Sequence, residues 1–318
     1  MSMPGFWFHR ASPAAVLAVA GEDAPRFLQG QGSADLSGPV GSCQYTLWLD
    51  HRGRVQGDSH ALRTGEEAFL LVSAGTPGAD LRSRFDSFIV ADDVEIEERT
   101  GKVLFTLGGA RLAPVLEAAG VRLPSAGAFS TGEGAAEGSG LPPEAFFFRI
   151  ARGAPDCVEC LFDADAAPAV AAWLERNGAE ECPFSDLEAM RIAARIPAVP
   201  RDIGPGETPF DGGLGDVVCL TKGCFLGQEV AARQARLGRW PKILVRVEGS
   251  VKVDTDKAYP VFSDCQEVGE LRSSVYQGFG LSGLALVKRS ALGGSAVVNL
   301  SAEGGEPLRV VRGDGDSD

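Results

Sequence analysis

The feature that most constrains the fold of this 318-residue chain is a change of pattern after Trp240-Pro241. Before that point, segments with strand periodicity alternate with segments with helix periodicity. After it, only short apolar strand patterns recur, separated by turn residues. The sequence therefore predicts a multidomain α+β protein that ends in a separate small antiparallel β-barrel or sandwich. The predicted strands of this C-terminal unit are 243–247, 260–262, 268–275, 281–287, 296–300 and 308–311.

The part of the chain before residue 240 predicts an interrupted domain organisation. Residues 1–92 and 183–239 are expected to form one region, and residues 93–182 a ferredoxin-like α+β unit with helices on one face of a sheet. Residues 240–313 are expected to form the barrel, and residues 314–318 a disordered tail. The predicted helices are 24–29, 78–89, 110–119, 166–177, 185–195 and 227–236. The predicted strands are 42–49, 54–62, 67–73, 94–98, 102–107, 145–151 and 157–162.

Two helix ends carry specific signals. Gly30 follows the first helix pattern and is expected to stop it as a left-handed cap. Ser185 and Glu188 have the spacing of a capping box, which places a helix start at Ser185.

The densest group of chemically active residues is the segment K-G-C-F-L-G-Q-E at 222–229. Cys224 lies just before the predicted helix, where the positive end of the helix dipole favours a thiolate, and Lys222 adds positive charge. Gly223 and Gly227 permit backbone angles with positive φ and close approach of another group. This pattern indicates a site. The alternative is a packing role, in which Cys224 is buried and Lys222 is solvated.

The spacing of two charged residues in the predicted helix 227–236 predicts an ion pair. Glu229 and Arg233 are four residues apart, which is the spacing of a facing ion pair on a helix. We expect the two side chains to be paired.

The segment 222–229, continued by Ala232-Arg233 and Gly238-Arg239, resembles the signature of the YgfZ family of folate-binding proteins, where tyrosine is usual at the position of Phe225. This family belongs to the larger group that includes the glycine-cleavage T-protein, and one branch comprises iron–sulfur cluster assembly factors. Segments 21–35, 49–55 and 191–214 also resemble the family. The resemblance covers about 20 to 240.

The resemblance implies a T-protein/YgfZ-like fold and an accessory protein that binds tetrahydrofolate or a derivative. Such a protein would assist iron–sulfur cluster assembly or repair in client enzymes, including tRNA-modifying ones. Cys224 would be the reactive thiol or transient ligand, and Lys222 would lower its pKa or hold an anion. The folate-binding residues implied by the resemblance are Gln29, Gln31, Asp35, Asp50, Arg52, Asp58, Arg191, Asp202, Asp211, Gly223, Gly227, Gln228, Glu229 and Arg233.

The chain departs from the family pattern at two acidic positions. T-proteins carry paired aspartates after the turn glycine, whereas this chain has Gly57-Asp58, and acid–base work on a folate nitrogen needs a positioned titratable group. The alternative function is a tetrahydrofolate-dependent aminomethyltransferase in which Asp58 supplies the acid. Ala193 stands where folate-binding relatives have glutamate. Either Asp202 or Asp211 serves in its place, or folate does not bind.

Composition excludes several classes of partner. A formal charge of -13 argues against a broad nucleic-acid or anionic-membrane surface. No export signal or membrane-spanning pattern is present at the N-terminus, so a cytoplasmic location is expected. The protein is also expected to be a monomer. Seven cysteines suit free thiols in a reducing compartment. Cys157 and Cys160 have metal-knuckle spacing but lack a second pair, so no metal site is expected and packing is favoured.

Overall fold

The computed structural model of the chain describes residues 3–150, 157–238, 240–278, 280–292, 297–304 and 307–311. The tail expected at 314–318 and Arg239 of the signature lie outside the described residues.

Six α-helices lie in the described part of the chain: α1 (Ala24–Gln31), α2 (Gly78–Asp86), α3 (Leu112–Ala118), α4 (Ala167–Arg176), α5 (Phe184–Ala193) and α6 (Gln228–Leu237). The strands are β1 (Trp7–Ala11), β2 (Ala15–Ala20), β3 (Cys43–Leu49), β4 (Val55–Gly65), β5 (Ala68–Ser73), β6 (Glu95–Glu98), β7 (Lys102–Gly108), β8 (Phe129–Thr131), β9 (Phe146–Arg149), β10 (Val158–Asp163), β11 (Glu180–Glu181), β12 (Lys242–Gly249), β13 (Tyr259–Ser263), β14 (Gln266–Gln277), β15 (Gly280–Lys288), β16 (Val297–Val298) and β17 (Leu308–Val311). Short 3₁₀ helices occur at Ala164–Ala166, Gly215–Val217 and Arg289–Leu292.

The strands form three sheets. The first sheet has the order β3-β4-β5-β2-β6, and the second has the order β11-β1-β7-β10-β9-β8. Strand β1 pairs antiparallel with β7, and β6 pairs antiparallel with β2. Strands therefore cross the expected boundary at residue 93 in both directions. The N-terminal strand belongs to the second sheet, and β6 belongs to the first.

The first two sheets pack against each other and carry helices on their outer faces. Helices α1 and α2 cover the first sheet, and α3 and α4 cover the second. Between the sheets, Leu62 and Leu70 meet Phe148 and Leu161. This arrangement explains why β2 reads AVLAVA without alternation, because both of its faces are covered.

The third sheet is the C-terminal barrel, with the order β13-β14-β15-β12-β17-β16. Its two edges are joined where Phe262 and Asn299 exchange backbone hydrogen bonds of 2.8 and 2.9 Å. This pairing leaves little open edge. The predicted α+β class and the C-terminal antiparallel barrel are confirmed.

The two predicted helix ends differ from the structure. Helix α1 runs through Gly30 to Gln31, and Gly32 follows with an extended backbone instead of a left-handed cap. The ammonium of Lys222, from a distant loop, donates to the carbonyls of Gln29 and Gly32 and takes over the role of the cap.

Helix α5 also begins differently from the prediction. It starts at Phe184, directly after Pro183, and Ser185 makes no capping hydrogen bond. The carboxylate of Glu188 accepts from Arg191 instead. A buried, two-point contact between carboxylate and guanidinium is stronger than a capping bond. The Glu188 side chain therefore binds Arg191 and does not cap the helix.

Candidate functional site

Two cavities lie beside the contact between the first and second sheets. Cavity 1 has a volume of about 540 Å³ and is bounded by both sheets, α5 and the loop at Ala198. Cavity 2 has a volume of about 720 Å³ and lies between the first sheet and the Gly215–Val217 turn. His60 and Ile150 line both cavities. The walls of cavity 1 are mostly apolar and include Trp7, Val72, Leu104, Phe148, Phe184 and Met190.

His60 stands where the two cavities meet. Its ring lies 5.1 Å from the rings of Tyr45 and of Phe148, and the side chain is buried. Burial lowers the pKa of His60 to about 4, so the imidazole is neutral at pH 7. Its Nε2 atom has no hydrogen-bond partner among the described residues. The imidazole therefore holds a buried polar nitrogen that no hydrogen bond from the described residues satisfies.

Two buried carboxylates line cavity 1. Glu159 accepts from the hydroxyl of Thr106, at 3.1 and 3.2 Å from its two oxygens. Glu188 accepts from Nε and Nη2 of Arg191, and a guanidinium nitrogen of Arg201 lies 3.6 Å away. Carboxylate oxygens have several lone pairs, so both groups can accept further hydrogen bonds from a ligand.

Arg191 holds Glu188 in place and connects it to the barrel. Its five N–H groups donate to Glu188, to Oδ2 of Asp202 at 2.5 Å, to the carbonyl of Ile196 and to the hydroxyl of Ser273. Burial opposes its charge, but the hydrogen bonds to Glu188 and the charge of Asp202 outweigh this and raise the pKa of Arg191. All donors of the guanidinium are therefore already used by the protein.

Two of the aspartates considered as folate ligands, Asp58 and Asp202, line neither cavity. Asp58 is fully buried and accepts hydroxyl hydrogen bonds from Tyr45, Ser73 and Thr76 at 2.7, 3.0 and 2.8 Å. Asp202 is fully buried in the network around Arg191. These carboxylates have partners that hold the sheets and loops together.

Asp211 is a further buried aspartate of this kind. It accepts from the backbone and the hydroxyl of Thr208 at 2.8 Å each. It also lies outside the walls of both cavities. Its contacts close the turn that follows Thr208.

Lys222 lies against the C-terminal end of α1. Its ammonium donates to the carbonyls of Gln29, Gly32 and Ala34 at 2.7, 2.7 and 2.6 Å. Burial lowers the pKa of Lys222 to about 8, and the nearby carboxylate of Asp35 opposes this shift. The group is therefore still charged at pH 7, and its donors are occupied by three backbone oxygens.

Cys224 precedes α6, as the sequence predicts, and its side chain is exposed. It lines neither cavity. Gly227 has φ 84, and a Cβ atom there would lie 2.6 Å from the carbonyl oxygen of Asp50. Gly223 does not use the positive φ that glycine permits, and it is exposed with open space around it.

The expected ion pair on α6 is not formed. Glu229 and Arg233 are both exposed, and no salt bridge joins them in the described part of the chain. Gln228 is the first residue of α6 and lines neither cavity. The long flexible side chains gain little from pairing in water, so the i,i+4 spacing does not enforce a contact.

Among the candidates near α1 and the β3–β4 hairpin, Asp35 lines a cavity and Asp50 stabilises a turn. Asp35 lines cavity 2 and accepts from Gln29 at 2.8 Å. The hydroxyl and backbone of Ser37 are the main causes that lower the pKa of Asp35. Asp50 accepts from the backbone N–H groups of Arg52 and Arg54, so it shapes the turn between β3 and β4.

Two remaining candidates in this region do not line either cavity. Gln31 carries a buried Oε1 atom that has no hydrogen-bond partner among the described residues. Arg52 lies exposed at the hairpin turn.

The sequence reasoning missed His60, Glu159, Glu188 and Cys219 as wall residues. One signal was available for Glu159, because a glutamate in the strand C-V-E-C-L-F interrupts an apolar run and burying a carboxylate is costly. Glu188 was assigned to a helix cap. His60 and Cys219 carry no local pattern, and only the packing of distant segments brings them to a cavity.

Two further expectations concern metals and membranes. Among the described residues, no group of three or more His, Cys, Asp or Glu side chains is arranged to hold a metal ion. Cys157 and Cys160 are both buried, in agreement with the packing interpretation. None of the helices in the described ranges has the length and apolar character that crossing a membrane requires.

Most of the chain before the barrel matches a known protein family. The model of the GCVT N-terminal domain matches residues 11–222. An aminomethyltransferase from a Nostoc species is 27% identical over 259 residues, which is 77% of this chain and 66% of that protein. An aminomethyltransferase from Prochlorococcus marinus is 25% identical over 273 residues, which is 82% of this chain and 72% of that protein. The chain thus spans about two thirds of the length of the Nostoc relative.

The fold also matches a solved structure. The crystal structure of glycine cleavage system aminomethyltransferase T from Bartonella henselae aligns with a TM-score of 0.80 at 18% identity. The alignment covers 98% of this chain and 86% of that one. The likeness shows that the α+β domains and the barrel are arranged as in that protein.

Proposed function

Since the chain belongs to the family of the GCVT N-terminal domain, we propose that it binds a reduced folate in cavity 1 and assists iron–sulfur cluster assembly or repair. One observation carries the folate part. Cavity 1 has about 540 Å³ of space between aromatic and aliphatic walls and presents two buried carboxylates, Glu159 and Glu188. Volumes of roughly 300–1,000 Å³ with few polar groups are typical of small-molecule sites.

The chemistry of the walls suits a pteridine. The amino edge of a pterin carries neighbouring N–H donors, and a carboxylate can accept two of them side by side. Trp7, Phe148 and Phe184 offer faces for a flat ring. The carboxylates of cavity 1 supply the acceptors that are missing at Ala193. Arg201, on the wall of the same cavity, offers positive charge for an anionic tail.

The accessory role is supported against group transfer by the surroundings of Asp58. General acid–base catalysis needs a titratable group within hydrogen-bond reach of the reacting nitrogen. Asp58 is fully buried, contacts three hydroxyl groups and does not line cavity 1. The iron–sulfur part of the proposal rests on the resemblance of residues 222–229 to the YgfZ signature, and there Cys224 is exposed to a client protein.

Titration with tetrahydrofolate tests the folate part. Trp7 lies in the wall of cavity 1, so tryptophan emission should change and saturate. Glu159→Gln should weaken binding by about tenfold, because a hydrogen bond to a charged acceptor contributes roughly 1.5 kcal/mol. Glu144→Gln, at an exposed position, is the matched control. An unchanged affinity in Glu159→Gln, or no binding at all, would remove cavity 1 as the folate site.

The iron–sulfur part is tested in cells that lack the protein. The activity of cluster-containing enzymes should recover with the wild-type chain and fail to recover with Cys224→Ser at equal protein level. Recovery by Cys224→Ser to the wild-type level would contradict the proposed role of this thiol.

The second candidate function is aminomethyl transfer, which the names of the two relatives favour. It predicts turnover of tetrahydrofolate with an aminomethyl donor and loss of that turnover in Asp58→Asn. Binding of tetrahydrofolate without turnover separates the two functions.

A further inference from the structure

Four arginines form an exposed basic surface at the β3–β4 turn and on α6. Arg52 and Arg54 are exposed on either side of Gly53, and Arg233 and Arg236 are exposed on the helix. Within the described part of the chain, none of these four guanidinium groups makes a salt bridge. The four side chains, called the arginine surface below, are therefore free to pair with groups outside the protein.

A direct contact between the turn and the helix makes the arginine surface continuous. A Cβ atom on Gly53 would lie 3.0 Å from Cβ of Val230, and a Cβ atom on Gly227 would lie 3.0 Å from Cα of Gly53. Arg233 follows Val230 by three residues, and Arg236 follows Arg233 by three. Residues at this spacing are neighbours on a helix, so the arginines continue from the turn along the outer side of α6.

The arginine surface is positive, whereas the chain as a whole carries a formal charge of -13. Glu229 is the only acidic residue of α6, and Asp50 accepts hydrogen bonds from the backbone of the β3–β4 turn. The arginines outnumber these two carboxylates. An acidic partner is repelled by the chain in general and attracted here, so charge complementarity fixes both the place and the orientation of docking.

Two properties of the arginine surface favour a protein partner over a nucleic acid. The helix has ten residues and is about 15 Å long, whereas a nucleic-acid backbone carries regularly spaced charge that would continue over the acidic remainder of the chain. Leu237 follows Arg236 at the end of α6 and is 62% exposed. An exposed apolar side chain complements the apolar groups of a protein interface and not a row of phosphates.

We propose that the arginine surface docks an acidic face of an iron–sulfur client protein and brings the cluster site of that client to Cys224. This inference rests on the proposed function and names the chemistry by which the client is recognised. Guanidinium groups pair with carboxylates through two parallel hydrogen bonds. Cys224 is exposed in the loop that leads into α6, three residues before Gly227, so a partner seated on the helix lies close to the thiol.

Fluorescein-labelled poly-L-glutamate tests carboxylate recognition by the full-length chain, with fluorescence anisotropy measured at low salt. The probe should bind saturably, and Arg54→Glu/Arg236→Glu should weaken its binding by about tenfold or more, because like charges then face each other. Arg122→Glu/Arg176→Glu is the matched control, since both positions are exposed and Arg176 also lies in the last turn of a ten-residue helix, α4. Equal weakening by the two double variants would overturn the proposal, because net charge alone would then explain the binding.

Two other occupants of the arginine surface give different results. An oligouridylate RNA that binds more tightly than poly-L-glutamate, and loses this binding in Arg54→Glu/Arg236→Glu, would overturn the proposal in favour of a nucleic acid. Self-association of the wild-type chain at low salt, measured by sedimentation and absent in the same double variant, would assign the surface to a second copy of the chain.

Recovery of cluster-containing enzymes in cells that lack the protein tests the client. At equal protein level, Arg54→Glu/Arg236→Glu should fail to restore these enzymes, although its thermal unfolding and its tetrahydrofolate titration match those of the wild type. Arg54→Lys/Arg236→Lys keeps the charge and should restore them.

The outcomes separate this inference from the proposed function. Full recovery with Arg54→Glu/Arg236→Glu would overturn the docking surface and leave the proposed function intact. Failure of the wild-type chain itself to restore the enzymes would contradict the proposed function and the identity of the partner as a client. The poly-L-glutamate comparison would still decide whether the arginine surface recognises carboxylates.

Discussion

Lys222 illustrates how the position of one ammonium group changes the interpretation of a motif. Sequence patterns place it beside a cysteine and predict that it activates the thiol. In the structure its three strong hydrogen bonds go to carbonyls at the end of α1. The lysine of the signature thus joins the loop at 222–229 to a helix nearly two hundred residues earlier, as the separation of 193 between Lys222 and Gln29 shows.

Replacing Lys222 by Met should lower the free energy of unfolding by about 2 kcal/mol, because three backbone carbonyls lose their donor. Denaturant titration measures the change. Lys252→Met, at an exposed position without a salt bridge in the described residues, is the control and should change stability by less than about 0.5 kcal/mol. Equal effects of the two substitutions would contradict the capping role of Lys222.

The buried His60 lowers the free energy of unfolding as the pH falls. Its pKa falls from 6.5 to about 4 on folding, so between these values the unfolded chain binds more protons than the native one. The stability from the neutral imidazole is present above pH 6.5 and is lost as the pH falls toward 4. At about 1.4 kcal/mol per unit, the loss amounts to about 3 kcal/mol.

Denaturant titrations at pH 7 and pH 4 measure this contribution. The difference in unfolding free energy between wild type and His60→Phe should shift by about 3 kcal/mol in favour of the variant at the lower pH. A difference that stays constant between the two pH values would show that His60 is not desolvated as the structure indicates.

Single residues were predicted best where their chemistry depends on close neighbours in the sequence. The helix start shortly after Cys224 and the positive φ that Gly227 permits follow from a local loop-to-helix pattern. Glu159 and Cys219 were missed, because their exposure to a cavity depends on segments that pack from elsewhere in the chain. The physical reason is that hydrophobic periodicity reports which face is buried but not where a cavity remains.

At the scale of elements, the start of α6 is fixed by close contact between two glycine turns. A Cβ atom on Gly227 would lie 2.6 Å from the carbonyl oxygen of Asp50 and 3.0 Å from Cα of Gly53. The helix therefore packs directly on the turn between β3 and β4. This contact sets the position of the loop that carries Cys224.

Gly227→Ala should destabilise the protein by about 2–3 kcal/mol, because alanine is strained at φ 84 and its methyl group collides with backbone. Gly223→Ala is the matched control in the same loop. Gly223 does not have a positive φ, and a Cβ atom added there would have no neighbour within 4 Å. The substitution should therefore change thermal unfolding little. A large effect at Gly223 with none at Gly227 would contradict this account of the loop.

At two helix ends, tertiary contacts replace the caps that the local sequence predicts. Gly30 was predicted to end α1, but Lys222 satisfies the terminal carbonyls and the helix continues to Gln31. The capping box at Ser185 did not form, since Glu188 pairs with Arg191. In both cases a charged side chain offers a stronger contact than the local cap.

At the scale of the whole molecule, Ser273 is one of the contacts that attach the barrel to the rest of the chain. The register of β14 shifts between Leu271 and Ser273, and the hydroxyl of Ser273 accepts from Arg191 at 2.8 Å. The same hydroxyl donates to Oδ1 of Asp202 at 2.6 Å. One small side chain thus joins the barrel, α5 and the loop after it.

Ser273→Ala should lower the free energy of unfolding by about 2 kcal/mol, because it leaves a buried guanidinium N–H and a buried carboxylate oxygen without partners. Ser274→Ala is the control on the next residue. The hydroxyl of Ser274 is buried without a partner among the described residues, so its removal should be neutral or slightly stabilising. Equal losses from the two substitutions, measured by denaturant titration, would contradict the bridging role.

The overall architecture was predictable where patterns are continuous. The change after Trp240-Pro241 was enough to predict the barrel, because three of the pairings between its described strands join neighbours in sequence: β13 with β14, β14 with β15, and β16 with β17. The exchange of β1 and β6 between the first two sheets was not predicted. Pairing of strands far apart in the chain leaves no mark on the periodicity of either strand.

The exchange of β1 has a consequence for biosynthesis. Trp7–Ala11 leaves the ribosome about 95 residues before its partner Lys102–Gly108. At 5–20 residues per second this delay is roughly 5 to 20 s. During that interval the nascent chain exposes an apolar strand with no companion, which makes it a natural client for chaperones that act during translation.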